Sequence, residues 1–327
     1  MAGKTPVRWG ILGAAKFARE HMAPAIHAAR GATLVGLATS GAEKAAPFQA
    51  FAPGLKFFES YEALLASPEI DAVYIPLPNH LHVEWTLKAL DAGKAVLTEK
   101  PIAMEEAEFD TLIAARDRTG LLAAEAYMIV HHPQWKKARA LVAEGAIGAL
   151  RHVRGAFCYN NADEPENIRN RPETGGGALR DIGVYTFGST RFVSGKEPVK
   201  GGMRANISFE NEVDTLSLVT AEFPGFTLET MVSMRLNPYQ EMAFFGDRGT
   251  LRLTAPFNPA DFGEATVILS DVSGTRIWRY PGDNHYVNQV EAFGAAMRGE
   301  IDYPCPLEFS RGTQAMIDAA FQVGMEI

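Results

Sequence analysis

Short apolar runs alternate with segments of helical periodicity through the first 124 residues, and this alternation restricts the fold more than any other feature. Residues 7–12 predict a buried strand, and a helix follows to about residue 29. Further strands are predicted at residues 33–39, 72–75, 95–98 and 121–124, with helices between them. Repeated strand-helix units form a parallel sheet covered on both faces. Residues 1–124 are therefore expected to form a doubly wound, nucleotide-binding α/β domain.

The pattern changes from residue 125 onward. Helices are predicted near residues 134–144 and 178–193, and seven β-rich segments then follow between residues 199 and 280 without helices between them. Consecutive strands joined by short turns pair antiparallel. Residues 125–327 should thus be an α+β domain with a large, mostly antiparallel open sheet. Its free face is expected to join subunits into a homodimer or homotetramer.

Composition narrows the functional classes. The net charge of −8 argues against nucleic-acid binding, which favours clustered Lys and Arg. No segment approaches the ~20 apolar residues of a membrane span, and the N-terminus lacks the apolar core of a signal peptide. We expect a small-molecule partner, no membrane association and a cytoplasmic location. Cys158 and Cys305 are expected to be buried thiols.

The loop after the first strand is a candidate phosphate cradle. It has the pattern G-x-G-x-x-A, with alanine in place of the second glycine. In such loops the backbone approaches a pyrophosphate, and the N-terminus of the helix attracts it. The predicted cofactor contacts are Gly13, Ala14, Ala15, Lys16 and Phe17. Taken alone the pattern is weak, because Gly and Ala are common at strand ends.

The end of the second strand indicates which nicotinamide cofactor is used. An acidic residue there normally binds the adenosine ribose and disfavours a 2′-phosphate. This chain instead has Thr39 and Ser40, which can bond a phosphate, and Lys44, which supplies a positive charge; the first acid is Glu43. NADP is therefore favoured, while NAD stays open, since no arginine follows Ser40.

A lysine between an acid and a proline, Glu99-Lys100-Pro101, follows the apolar run at residues 95–98. Ligands bind at the carboxyl ends of the strands in open α/β sheets, so Lys100 is a candidate for chemistry. The alternative is an ordinary surface lysine.

Four motifs stand in order along the chain: the opening fingerprint, Pro-Asn-His-Leu-His at 78–82, Glu-Lys-Pro at 99–101, and residues 175–185 with the sequence GGGALRDIGVY. Together they resemble the glucose-fructose oxidoreductase (Gfo/Idh/MocA) family. The nearest branch contains NADP-dependent xylose dehydrogenases and dimeric dihydrodiol dehydrogenases, which have tyrosine at the position of Tyr185. The resemblance implies an N-terminal Rossmann domain and hydride transfer between NADP(H) and a sugar, polyol or related cyclic alcohol or carbonyl.

The resemblance also implies catalytic roles. Tyr185 would be the proton-transferring acid or base, and Lys100 would favour its phenolate and bind the reacting hydroxyl. Asp181 lies one helical turn before Tyr185 and would bind a substrate hydroxyl and pair with Lys100. The simpler alternatives are that Asp181 is a helix cap or ion-pair residue and that Tyr185 is a core tyrosine.

Further cofactor contacts are implied at Pro76, Leu77, Asn79, His82, Glu99, Lys100 and Arg169. His82 fits a residue on the helix surface equally well. The glycines at 175–177 allow either close backbone approach or a hinge. No metal is expected, because His131 and His132 are adjacent and face different ways, and no acid completes a site.

Two other functions stay open within the family. One is a glycosidase-like enzyme whose bound NAD is transiently reduced and restored. The other is a non-catalytic sugar or nucleotide sensor, which would have no chemical need for Lys100, Asp181 and Tyr185 together. The identity of the substrate, its stereochemistry and the direction of the reaction do not follow from the sequence.

Overall fold

A computed structural model describes residues 5–259 and 261–326. The chain forms two compact units. The first unit contains the chain up to Ala103, Ala107–His131 and Asn284–Ser310. The second contains Met104–Glu106, His132–Asp283 and the chain from Arg311 on. The predicted domains, 1–124 and 125–327, stay a prediction, and the compact units add that residues 284–310 return to the first unit.

The first unit is built on a six-stranded parallel sheet with the order β3-β2-β1-β4-β5-β6. Its strands are β1 (Val7–Leu12), β2 (Ala32–Ala38), β3 (Lys56–Phe58), β4 (Ala72–Ile75), β5 (Ala95–Thr98) and β6 (Ala123–Glu125). Every residue of β4 and β5 is buried, as expected for a parallel sheet covered on both faces. This places the ends of β1, β2, β4 and β5 side by side along one edge.

The second unit is built on a nine-stranded sheet with the order β14-β13-β12-β11-β7-β10-β9-β8-β15. Its strands are β7 (Leu150–Asn160), β8 (Met203–Glu210), β9 (Val213–Phe223), β10 (Phe226–Ser233), β11 (Arg235–Gly246), β12 (Gly249–Leu253), β13 (Ala265–Asp271), β14 (Gly274–Tyr280) and β15 (Gly324–Glu326). The pairs β7–β10 and β8–β15 are parallel, and the other neighbours are antiparallel.

Helices connect these strands. They are α1 (Ala23–Ala28), α2 (Ala42–Gln49), α3 (Tyr61–Leu65), α4 (His82–Asp91), α5 (Glu108–Thr119), α6 (Pro133–Ala143), α7 (Val184–Ser194), α8 (His285–Met297) and α9 (Leu307–Val323). Wide π-type turns at Ala18–Met22 and Leu179–Gly183 lead directly into α1 and α7. In the described part of the chain, no helix has the length and apolar character to cross a membrane.

Among the described residues, helices pack on one face of the nine-stranded sheet. Helices α6 and α7 pack on it, and side chains alternate along β9 between buried positions such as Val219 and exposed ones such as Leu218. This alternation is typical of an antiparallel sheet with one solvated face.

The predicted fold class, a Rossmann sheet followed by a large, mostly antiparallel sheet, is confirmed. Two short edge strands, β3 and β15, were missing from the prediction. Each has three residues, too few for a periodic signal. The predicted opening helix is also interrupted, because its first turns are π-type.

Candidate active site

The loop after β1 requires its glycine. Gly13 has a φ of +105°, and a methyl group built on it would come within 3.0 Å of Leu77 Cδ2. Its N–H donates to the carbonyl of Ala38 at 2.8 Å, which fixes the loop against the end of β2. Ala14, Ala15 and Phe17 are partly exposed, and Lys16 is exposed. The loop therefore presents backbone and small side chains at the carboxyl end of β1, as a pyrophosphate cradle does.

The end of β2 brings a hydroxyl and a cation together. Thr39 is buried, while Ser40 and Lys44 are exposed and lie 2.7 Å apart from Oγ to Nζ. Gly41 caps α2 without a side-chain hydrogen bond, and the exposed carboxylate of Glu43 lies against it. A hydroxyl beside an ammonium is the pair predicted to bind the 2′-phosphate of NADP, and Glu43 places a negative charge next to it.

The ends of β4 and β5 form a continuous wall. Pro76 and Leu77 are buried there, and Asn79 is partly exposed. Glu99 accepts a hydrogen bond from the hydroxyl of the fully buried Tyr74 at 2.6 Å and a second one from the backbone N–H of Lys100 at 3.2 Å. The carboxylate thus fixes the main chain at Lys100, whose side chain stays partly exposed.

His82 bridges two loops of this wall. It is completely buried, and its Nδ1 and Nε2 each lie 2.7 Å from a backbone carbonyl, those of Pro101 and Leu77 respectively. Burial lowers the pKa of His82 to about 4, so the imidazole is neutral near pH 7 and its single N–H donates to one of the two carbonyls. The alternative of a histidine on the helix surface is wrong.

Asp181 carries the polar centre of the second unit. Arg169 donates from Nε to Asp181 Oδ2 at 2.9 Å, and the hydroxyl of Tyr159 donates to the same oxygen at 2.7 Å. The charge of Asp181 raises the pKa of Arg169. Burial, and then the charge of Asp181, raises the pKa of Tyr159, which therefore stays a hydrogen-bond donor. The carboxylate is held from two sides.

Tyr185 lies in an aromatic enclosure. It is only 6% exposed, and its ring centroid lies 5.6 Å from that of Phe157 and 5.5 Å from that of Phe257. Phe157 and Phe257 stack on each other at 4.9 Å. Aromatic pairs at such separations stabilise a fixed ring orientation. The phenol is thereby aligned on the same helical segment as Asp181.

The three glycines before this helix, residues 175–177, allow the backbone to pack closely against the backbone at Arg169. A methyl group on Gly176 would come within 2.5 Å of the carbonyl oxygen of Arg169, and the N–H of Gly177 donates to that same oxygen at 3.0 Å. Gly175 and Gly177 have positive φ. Of the two roles considered for these glycines, close backbone approach is therefore correct and a hinge is not. The close approach places the Arg169 loop beside the start of the helical segment that carries Asp181.

The structure gathers the predicted residues into two groups. One lies along the edge of the six-stranded sheet and comprises Gly13, Ala14, Ala15, Lys16, Phe17, Thr39, Ser40, Lys44, Pro76, Leu77, Asn79, His82, Glu99 and Lys100. The other lies in the second unit and comprises Arg169, Asp181 and Tyr185. Their binding and catalytic roles stay predictions, as does the pairing of Asp181 with Lys100. The ion pair predicted as the simpler role of Asp181 is present, with Arg169 as the partner.

Three residues of the site, Tyr159, Tyr74 and Phe257, were not predicted from the sequence. Tyr159 is the last but one residue of β7, close to a polar loop, which is a usable signal, whereas nothing in the sequence places Phe257 beside Tyr185. His132 accepts the N–H of Gln134 at 3.1 Å and so caps α6. Within residues 5–259 and 261–326, no group of three or more His, Cys, Asp or Glu side chains is placed to hold a metal ion.

Family models match both halves of the chain. Residues 7–127 match the oxidoreductase family with an NAD-binding Rossmann fold, and residues 135–252 match the GFO/IDH/MocA C-terminal domain. The chain belongs to the GFO/IDH/MocA oxidoreductase family. The recognition made from the four sequence motifs is thereby confirmed.

Individual relatives are similar to this chain over most of its length. A dTDP-3,4-didehydro-2,6-dideoxy-α-D-glucose 3-reductase of Saccharopolyspora spinosa is 32% identical over 97% of this chain and 95% of its own. A D-xylose 1-dehydrogenase (NADP⁺) of Haloferax volcanii is 35% identical over 81% of each chain. A crystal structure of a 3-ketoreductase from Actinomadura kijaniata, with NADP and TDP-benzene, has a TM-score of 0.89 at 28% identity and covers 99% of both chains.

These comparisons confirm the predicted class of the enzyme as an NADP-linked oxidoreductase for sugar-like substrates. Ser40 and Lys44, which are hydrogen-bonded to each other, stay the predicted contacts for the 2′-phosphate of NADP. The comparisons lend no support to the glycosidase-like enzyme or to the sensor.

Proposed function

We propose that this enzyme uses NADPH to reduce a keto group on the ring of a nucleotide-linked sugar, and that it also catalyses the reverse oxidation. The observation that carries the proposal is the cluster of Asp181, Arg169 and Tyr159 on the helical segment that also carries Tyr185. A fixed carboxylate suits a sugar hydroxyl, and an enclosed phenol suits a carbonyl oxygen. The names of the 3-reductase and 3-ketoreductase relatives support the choice of a keto sugar.

In this proposal bound NADPH supplies the hydride. The Tyr185 hydroxyl donates its proton to the carbonyl oxygen as negative charge develops there. Phe157 and Phe257 exclude water from the ring and hold the hydroxyl in one direction. Asp181 orients the sugar by accepting a hydrogen bond from a neighbouring hydroxyl, while Arg169 and Tyr159 prevent its carboxylate from rotating.

Lys100 has the role of a stabilising cation. Its backbone is fixed by Glu99. Following the family resemblance, we propose that its ammonium lowers the pKa of the proton-transferring tyrosine. In the direction of oxidation the same pair works in reverse, with the phenolate as the base.

A substrate screen tests the function. In one assay, purified enzyme is mixed with NADPH and either dTDP-linked 3-keto sugars or simple ketones of similar size. In a second assay, it is mixed with NADP and free aldoses such as xylose. Loss of the reduced-nicotinamide absorbance with the keto sugars, at rates at least about 100-fold above those with simple ketones, is expected. Oxidation of free aldoses without any turnover of keto sugars would overturn the substrate assignment.

We also propose that two copies associate through the uncovered face of the nine-stranded sheet. Leu218 and Tyr239 are exposed on that face at 39% and 45%, and Arg154 pairs there with Glu241 at 3.0 Å. Exposed apolar side chains beside charges of both signs suit a self-complementary interface. Sedimentation measurements test this proposal. The wild type should be a dimer or tetramer, and Leu218→Asp should be a monomer. A monomeric wild type would contradict the proposal.

We propose a cytoplasmic location, because an enzyme that consumes NADPH depends on an intracellular supply of it. Immunodetection after cell fractionation tests it, and recovery of the protein in an extracellular or membrane fraction would contradict it.

A further inference from the structure

A second carboxylate, which the proposed reaction does not use, lies at the start of the helical segment that carries Asp181 and Tyr185. Asp214 is the second residue of β9 and is only 2% exposed. Its Oδ2 accepts the backbone N–H of Leu179 at 2.7 Å and lies 3.3 Å from the hydroxyl of Ser217. A β-strand side chain therefore satisfies the first turn of this helical segment, whose own cap residue makes no side-chain hydrogen bond.

The contact also fixes the glycine bend before the helix. Gly177 has a φ of +123°, and a methyl group on it would collide with Asp214 Oδ1. The N–H of Gly177 donates to the Arg169 carbonyl at 3.0 Å, and its own carbonyl accepts the N–H of Asp181 at 3.0 Å. Asp214 therefore lies at the junction where the Arg169 loop meets the Asp181 helix, and a change in its side chain is transmitted to both.

We propose that Asp214 is a positioning residue for the reaction: it fixes the first helical turn and thereby the direction of Asp181 and Tyr185. This inference rests on the proposed function, because it acts through Tyr185. A charge-assisted hydrogen bond donated to a buried carboxylate is about twice as strong as a neutral one, so the ionised form of Asp214 holds the turn more firmly.

The protonation of Asp214 predicts a specific dependence of kcat on pH. Burial raises the pKa of Asp214 to about 7, and the groups that oppose the rise are the Leu179 N–H, the charge of Arg180 on the same helical segment, the Ser217 hydroxyl and the backbone N–H of Asp214 itself. The carboxyl group therefore changes its charge near neutral pH. The catalytic rate should fall as pH drops through about 7, while affinity for NADPH, bound by residues of the first unit, should not.

The chain contains a matched control. Asp247 also lies against a glycine with positive φ, Gly148, and accepts the backbone N–H of Ala149 at 3.0 Å, but it is exposed in the turn between β11 and β12. Asp247→Asn removes the same kind of charge from the same kind of contact at the surface. It should leave kcat and its pH profile unchanged.

The experiment compares kcat and the KM for NADPH, from pH 5.5 to 9, in wild type, Asp214→Asn, Asp214→Ala and Asp247→Asn. Asp214→Ala should lower kcat at pH 8 at least about 10-fold with the KM for NADPH within about 2-fold. Asp214→Asn keeps an acceptor for Leu179, so it should retain more activity and lose the step near pH 7. Wild-type kcat in Asp214→Ala, or an unchanged pH step in Asp214→Asn, would overturn the inference.

Failure of the proposed function is distinguishable from failure of this inference. If Tyr185→Phe retains the wild-type rate, the proton-transfer role itself is wrong. If Tyr185→Phe is inactive while both Asp214 variants behave as wild type, only the role of Asp214 is wrong. Should Asp214→Ala fail to fold, the pH profile of Asp214→Asn decides alone.

Discussion

Arg169 donates from Nε to Oδ2 of Asp181 across 2.9 Å, and this ion pair fastens a polar loop to the first turn of a buried helical segment. The side chain of Arg169 is 38% exposed and that of Asp181 12%, so the pair lies at the boundary between core and solvent. A carboxylate in that position is available to a polar ligand while its orientation is fixed by the arginine and by Tyr159.

Replacing Arg169 should impair substrate binding more than cofactor binding. Arg169→Leu removes the guanidinium that bonds Asp181 and should lower kcat/KM for the sugar by about 10- to 100-fold, since one partner of a partly buried pair is lost. The KM for NADPH is the internal reference. Arg276→Leu, which removes the exposed pair with Asp271 on β13 and β14, should have little effect. A larger loss in cofactor affinity than in sugar affinity would contradict this role.

Shortening Phe257 should disturb Tyr185 without touching a reacting group. The loop that carries Phe257 is held by Trp135 Nε1, which donates to the carbonyl of Pro256 at 2.8 Å, and by Gln240, which accepts the N–H of Phe257 at 3.3 Å. Phe257→Leu should lower kcat by about 5- to 30-fold through a misaligned phenol, with an unchanged KM for NADPH. Phe262→Leu, exposed in the same connection, is the control. Equal rates for both variants would refute the alignment.

The choice of cofactor should depend on two neighbouring charges. Lys44→Ala removes the cation beside Ser40 and should raise the KM for NADP about 10-fold while leaving that for NAD nearly unchanged. Glu43→Gln should shift the preference further toward NADP, because its carboxylate opposes the 2′-phosphate. Steady-state kinetics with both cofactors measures the ratio. Equal effects of Lys44→Ala on both cofactors would place the phosphate elsewhere.

His82 should make the protein sensitive to acid. Its folded-state pKa of about 4 lies below the ordinary 6.5, so its contribution to the free energy of unfolding is complete above pH 6.5 and is lost as pH falls from 6.5 toward 4. This corresponds to about 2 kcal/mol between pH 7 and 5. Urea unfolding of His82→Gln at both values should show a smaller loss than the wild type by that amount, and the exposed His27→Gln should not. An identical loss in His82→Gln and wild type would show that the pKa of His82 is not lowered in the folded protein.

Much of the fold followed from periodicity, and the reason is visible in particular elements. Residues 72–75 and 95–98 are continuous apolar runs that become fully buried strands with those same bounds. The strand at residues 56–58 lies at the sheet edge and has only one lysine and two half-buried phenylalanines, too few residues for a periodic pattern. Short edge strands are recognised through their pairing partner rather than through their own sequence.

The site was predictable only as far as motifs carry it. Motifs that can be recognised from their spacing in one sequence contain Gly13, Lys100, Asp181 and Tyr185. For His82 the motif marks the position but not its environment. Only the fold shows that both ring nitrogens face backbone carbonyls. Contacts between residues far apart in sequence, such as Asp214 with Leu179 or Phe257 with Tyr185, leave no local trace.

The most direct test of the account is the rate of NADPH oxidation by Tyr185→Phe. With a keto sugar turned over by the wild type, the variant should lose at least about 100-fold in kcat, because it lacks the proton donor, while NADPH binding followed by nicotinamide fluorescence stays within about 2-fold. Tyr280→Phe, on the edge strand β14 of the nine-stranded sheet, should retain wild-type values. Undiminished kcat in Tyr185→Phe would contradict the account.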